Sequence, residues 1–256
     1  MTGEHAEKAG ETTLAIDCFE QAGAEAQERY ANTAAETHFR RALSLLGEPE
    51  PMRRVDLLNR LQRIAETVGD RPGQDTLIAE MHTLLERHPD DHRQAQLLHS
   101  MAILADRRSD ATACERLARQ CFDLAERCGA SHSAAMGQAH LAWLHIARHD
   151  YLSADSHIES GLSWAARIES AATRAESEGM LLTLSGMVSM DTNRLHDAGR
   201  TLAAVLARGE ALGRPPGLGA PAPADRGRRA HRVVHALAHL GAGATPPCRS
   251  CARPRP

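Results

Sequence analysis

Apolar residues recur at helical spacing through most of residues 11–212, and no stretch shows the period-two alternation of a half-buried strand. Leu57, Leu58, Leu61, Ile64, Ala65 and Val68 form one stripe, and Leu77, Ile78, Met81, Leu84 and Leu85 the next. Turn-forming residues interrupt the pattern at Gly47-Glu48-Pro49, Gly69-Asp70, His88-Pro89-Asp90, Ser109-Asp110, Gly129, His149-Asp150, Asn193 and Gly213. The segments between them run roughly 16–22 residues, an ordinary length for long helices. The pattern predicts an all-α fold.

The breaks contain a repeat. Gly69-Asp70, Ser109-Asp110 and His149-Asp150 lie 40 residues apart, and the next such turn, near Asn193-Arg194, follows about 44 residues later. Small residues recur in step with the turns, at spacings of 12 and 7: Ala102, Cys114 and Cys121; Ala142, Ala154 and Gly161; Gly186, Ala198 and Val205. Small side chains at such positions let antiparallel helices approach to about 8–10 Å. The larger Leu141, Trp143, Ile158 and Leu162 are expected to fill the space between successive hairpins.

This spacing resembles the tetratricopeptide repeat, with Ala142, Ala154 and Gly161 at its small positions and Ile158 at the large one between the last two. The resemblance covers roughly residues 10–212, in units of about 40 residues and not 34, so the helices are longer. It implies a right-handed solenoid of four to five antiparallel hairpins, its concave face lined by the first helix of each. The alternative is an irregular helical bundle. On those first helices Arg60, Arg63, Gln94, Gln138 and Glu178 are the expected exposed partner-binding residues, set against the plainer reading of a solvated face.

Residues 5–47, HAEKAGETTLAIDCFEQAGAEAQERYANTAAETHFRRALSLLG, carry Ala-Gly and Phe-x-x-Ala-Leu elements. They resemble the repeat region that follows the ATPase module in large bacterial regulators, namely LuxR-type transcriptional regulators and class III nucleotide cyclases. The resemblance implies a sensor or partner-binding arm. The chain lacks the phosphate-loop Gly-Lys-Ser/Thr, the cyclase domain and the terminal DNA-reading helices of those proteins. Because the sequence starts inside an apparent hairpin, we expect a fragment of a larger regulator or a late start site. The chain therefore divides into N-terminal helices continuing an incomplete array (1–47), helical hairpin repeats (48–213) and a tail (214–256).

Composition changes the picture at the C-terminus. Hydrophobic residues make up 42% and aromatics only 3%, so the apolar content is mainly Ala and Leu, which favour helix. The net charge is −3, but residues 214–256 hold eight arginines against Asp225 alone, a balance of +7 that leaves −10 on the rest. An acidic body is a poor phosphate-binding surface, so no direct nucleic-acid binding by it is expected. The tail also holds eight of the twelve prolines and no Lys, Glu, Ile, Met or aromatic residue. It reads either as a disordered basic tail or as the product of a frame slip near codon 213. No apolar run reaches the length of a membrane span, and the start has no apolar signal core, so a cytoplasmic protein without membrane contact is expected.

Candidate chemistry is sparse. Cys114, Cys121 and Cys128 lie seven apart on one predicted helix. They read as packing residues over a thiol switch or metal site, because one helix cannot bring them onto one ion. Cys18 is read as core. His231, His235 and His239, with Cys248 and Cys251, have zinc-ligand residue types, but the tail lacks the surrounding features of a zinc finger. His88 and His92 flank a loop in which Asp90 suits a helix N-cap. His145 and His149 stand near Trp143 and Tyr151, in a cluster that Trp164 extends. Gly217-x-Gly219-x-x-Ala222 fits a dinucleotide fingerprint in spacing but lacks the preceding strand. No catalytic, metal or cofactor site is assigned. The expectation is a non-catalytic scaffold holding a protein or peptide in a helical-repeat groove, with a small-ligand sensor as the alternative.

Overall fold

The computed structural model describes residues 3–47 and 50–211, which form helices and no strand. In order these are α1 (Gly3–Lys8), α2 (Thr12–Glu28), α3 (Asn32–Leu45), α4 (Pro51–Val68), α5 (Arg71–Arg87), α6 (Asp91–Arg107), α7 (Ala111–Cys128), α8 (Ser131–Ala147), α9 (Tyr151–Ala165), α10 (Ala171–Asp191) and α11 (Leu195–Ala211). The chain falls into two compact units, Met1–Ser177 and Glu178–Pro256, divided within α10. The first unit includes residues on both sides of the 47/48 boundary drawn from sequence. The tail boundary and everything assigned to 214–256, the His231/His235/His239 and Cys248/Cys251 set and the Gly217 motif among them, lie outside the described residues.

Within the first unit each helix from α1 to α8 packs on the next, and α4, α6 and α8 also touch in succession. Breaks at Gly10, at Tyr30 and at 166–170 add to those read from sequence.

The turns share one construction. Two residues before the start of each second helix the backbone is left-handed: Tyr30 (φ 59°), Gly69 (80°), Ser109 (61°), His149 (59°) and Asn193 (61°). The next N–H then reaches back five residues, as in Asp70 N to Ala65 O (2.9 Å), Asp110 N to Ala105 O (3.0 Å) and Asp150 N to His145 O (2.9 Å). This is the pattern that satisfies orphan carbonyls at a helix C-terminus. The same three aspartates then cap the following helix, Asp70 accepting from Gly73 N, Asp110 from Ala113 N and Asp150 from Ser153 N. One aspartate thus joins two helices at each of three turns spaced 40 residues apart.

Apolar stripes meet inside the unit. Phe39, Leu57, Leu58, Leu61, Ile64, Met81 and Leu97 are almost fully buried, each large side chain contributing about 1.5–3 kcal/mol of burial. Val68, grouped with the α4 stripe, is 60% exposed, because it is the last residue of α4 and stands at the hairpin tip beside Gly69. Close approach depends on small residues. Ala102, Cys114, Cys121, Ala142, Ala154 and Gly161 are buried, with Ile158 at 3% exposure. A Cβ added at Gly137 would lie 3.1 Å from the Ala118 carbonyl and 3.2 Å from Phe122, so α7 and α8 are in near-backbone contact there.

In the second unit Gly186 and Ala198 are buried, Leu195 is exposed, and Asp197 pairs with Arg200 at 2.8 Å. The side chain of Val205 lies outside the described residues.

Candidate functional site

The first helices of successive hairpins meet along a polar seam. Arg93 on α6 donates to both oxygens of Asp56 on α4, at 2.8 and 2.7 Å. Further along, Asn59 meets Gln96 at 3.5 Å and Ser100 donates to Gln62 at 3.2 Å. Between α6 and α8, His140 Nε2 lies 3.1 Å from His99 Nδ1, and the Trp143 indole donates to Asp106 at 3.1 Å. These partners are 37 to 41 residues apart in sequence, close to the 40-residue spacing of the Asp70, Asp110 and Asp150 turns. The start of α10 joins the seam: Glu176 accepts from Arg63 at 3.2 Å, and Ser177 Oγ lies 3.0 Å from His132 Nδ1.

Burial sets the charge state of the seam. Desolvation pushes His140 down to about 4, with Asp106 opposing and Arg107 assisting. His99 is held well below the usual imidazole range by burial, then by His140, His132 and Arg63. His132 is lowered by burial against the pull of Glu176. All three imidazoles are neutral at pH 7. Glu66, 3.9 Å from Arg107, is pushed up by burial despite that cation and Arg63. Its Oε1 and the amide nitrogens of Gln62 and Gln74 are buried without a hydrogen-bond partner.

The sequence-assigned contact residues do not line one open groove. Arg60 stacks its guanidinium over Phe39, 5.5 Å from the ring centre. Arg63 is exposed and paired with Glu176. Gln138, expected on an exposed face, is only 5% exposed, and its Oε1 accepts from His157 Nδ1 at 2.6 Å. The reason is that α8 is packed by α6, α7 and α9 and is buried on nearly every side. A signal for this was present: α8 contains no charged residue. Glu178 is half-buried and belongs to the second unit.

Gln94 does reach an open cleft. Its walls are His82 from α5, Gln94, Leu98 and Met101 from α6, and Arg116, Leu117, Gln120, Asp123, Leu124 and Arg127 from α7. The cleft encloses about 460 Å³. Leu98, Met101, Leu117 and Leu124 give it an apolar side, and Arg116 and Arg127 set two positive charges against the one carboxylate, Asp123, among its walls. Arg116 is hydrogen-bonded to Gln120 at 3.2 Å, whereas Arg127 has no ion-pair partner among the described residues. The sequence directed attention to the first helices, whereas this cleft is walled mainly by a second helix, α7.

The remaining chemical candidates resolve into structural roles. Cys114 and Cys121 are buried, with thiols pushed up to about 12 by burial. Cys121 Sγ donates to the Ala95 carbonyl at 3.3 Å. Cys18, read as core, and Cys128 are half-buried. Asp90 caps α6, accepting from Arg93 N at 2.9 Å. His145 bonds Asp150 at 2.9 Å and stacks on His157, while His149 occupies the left-handed turn and bonds the Tyr151 hydroxyl at 2.8 Å. Trp164 packs edge-on to Phe122 and carries Arg167 on its face, so it does not join Trp143 and Tyr151 in a cluster. Among the described residues no group of three or more His, Cys, Asp or Glu is arranged to hold a metal ion, and no helix is long and apolar enough to cross a membrane.

Comparison with known proteins addresses the fold. The solved structure of BtubC (BKLC) from P. vanneervenii is similar over 100% of this chain and 94% of its own, with a TM-score of 0.60 at 13% identity. At that identity the likeness concerns the helical fold alone. No family model matches the chain, and no curated protein matches its sequence.

Proposed function

We propose that the chain is a non-catalytic interaction module: a tetratricopeptide-like, right-handed array of helical hairpins that binds a peptide segment of a protein partner. The observation that carries this reading is the cleft between α5, α6 and α7, with an apolar side and the unpaired Arg127 on its rim. That combination suits an amphipathic helix that lays apolar anchors into a groove and turns acidic side chains toward the rim. The seam on the first helices is filled by its own paired side chains, which favours the α5–α7 cleft as the docking place. The resemblance of residues 5–47 to regulator repeats supports a role as the partner-sensing arm of a bacterial signalling or transcriptional regulator.

The test is a binding titration of the full chain with fluorescent helical peptides bearing a Leu stripe and a Glu-rich face, beside charge-reversed Lys-rich controls. The expected result is saturable binding of the acidic set alone, weakened at least tenfold by Arg127→Glu combined with Arg116→Glu, and weakened by salt. Equal binding of acidic and basic peptides, or no effect of the double variant, overturns the reading.

A further inference from the structure

We infer that the His99–His140 pair is an acid-sensitive clasp between α6 and α8, and that its release alters the partner cleft that α6 also walls. The second half of this inference rests on the function proposed above. The first half stands on geometry.

His140 Nε2 and His99 Nδ1 are 3.1 Å apart, and they are the facing nitrogens of two imidazoles on different helices. A hydrogen bond between two imidazoles needs one N–H and one bare nitrogen. The first proton makes an imidazolium that still donates to the bare nitrogen of the other ring; a second proton leaves no bare nitrogen, sets two N–H groups against each other and replaces the bond by a repulsion. The rings sit 5.1 Å apart at their centres, with His132 6.1 Å from His99, so a positive charge on one ring is felt by the others. The charged groups that face this cluster are Arg63 from α4, Asp106 and Arg107 from α6, and Glu176 from α10. Asp106 is engaged by Trp143, and Glu176 by Arg63, so neither carboxylate is idle and ready to neutralise a new cation.

His132 plays a different part. Ser177 Oγ donates to the Thr173 carbonyl at 3.1 Å, which leaves its oxygen to accept from His132 Nδ1 at 3.0 Å. That bond survives protonation of the other ring nitrogen. The bond broken by acid is therefore the one between α6 and α8.

The link to the cleft is short. His99 follows Leu98 and precedes Met101 by two residues on α6, and both of those line the cleft. Movement of α6 away from α8 shifts that wall. The sign follows from burial: the imidazoles take up protons more readily in the opened than in the closed form, so opening is favoured as pH falls below about 6.5 and the effect is complete near 4. Between pH 7 and pH 5 a shift of this size for one ring raises the opening equilibrium roughly twenty-fold.

The experiment is hydrogen exchange by mass spectrometry on the full chain at pH 7 and pH 5, corrected for intrinsic exchange. It compares the wild type with His140→Gln and His99→Gln, whose amides do not titrate. The expected result is about a ten- to thirty-fold loss of protection at pH 5 confined to α6, α8 and the start of α10, with α2 and α3 unchanged. Each glutamine variant removes one titrating ring and should show a smaller pH response than the wild type. Equal protection at both pH values in the wild type, or the same pH response in the variants, overturns the clasp. Should both variants fail to fold, titration of the wild-type His99 and His140 ring protons by NMR decides: titration of both near 6.5 with no change in α6 amide signals overturns it. Acidic-peptide binding measured at the same two pH values reads the second half. Loss of clasp behaviour and loss of peptide binding are separate outcomes, so failure of one reading is distinguishable from failure of the other.

Discussion

Arg93, in the first turn of α6, grips both carboxylate oxygens of Asp56 on α4 and at the same time holds Asp90, the cap of its own helix, at 2.9 Å. The planar guanidinium makes this fork possible, and a lysine ammonium cannot reproduce it. Arg93→Ala is expected to lower stability by about 1 kcal/mol and Arg93→Lys to recover little of it. A double-mutant cycle with Asp56→Asn in urea unfolding should show a coupling of about 0.5–1 kcal/mol that shrinks in high salt. A coupling of zero would mean that the pair is only a surface contact.

The hairpin turns separate two local effects. Asp110→Ala removes the acceptor for Ala113 N and should cost about 1 kcal/mol. Ser109 sits at φ 61°, where an L-residue is disfavoured by about 1–2 kcal/mol, so Ser109→Gly should raise stability by roughly 0.5 kcal/mol after its entropic penalty. Opposite shifts in thermal midpoint from two adjacent substitutions would confirm the turn construction, and a fall for Ser109→Gly would refute it.

These turns show what the chain makes legible. Gly69-Asp70, Ser109-Asp110 and His149-Asp150 act within five residues, so a left-handed position followed by a capping aspartate can be read from the sequence itself. The buried small positions are legible for a similar reason, since the 12-and-7 spacing links two helices that follow each other directly, α6 with α7 and α8 with α9. The seam is not legible in that way. His99 meets His140, and Arg63 meets Glu176, only after several helices have packed, and those pairs are separated by 41 and 113 residues. Gln138 shows the limit most directly. Its polarity suggests an outward face, yet α8 has neighbours on three sides and no outward face at that position.

Gly137 tests the close contact of α7 with α8. An added methyl meets the Ala118 carbonyl and the Phe122 backbone, neither of which can rotate away. Gly137→Ala should therefore destabilise by about 1–3 kcal/mol, despite the better helix propensity of alanine. By contrast, Gly179 has open space around it, so Gly179→Ala should be neutral or mildly stabilising. Equal effects at the two positions would argue against the packing described.

The thiols give a prediction without mutation. Burial holds Cys114 and Cys121 near 12, so at pH 8 only about one thiol in ten thousand is ionised. Iodoacetamide labelling of the native chain, mapped by mass spectrometry, should leave both unmodified while Cys18 and Cys128 react. Both should label after denaturation. Rapid native labelling of Cys121 would show that α7 opens far more often than its packing implies.

The shared turn has a consequence for how such a chain can change length. Removing residues 70–109 would place Asp110 directly after Gly69, and the left-handed residue, the backbone bond behind it and the capping aspartate would all stand at the new joint. A coding sequence built on this joint can shorten or lengthen by a whole hairpin while each surviving corner keeps the same atoms in the same roles.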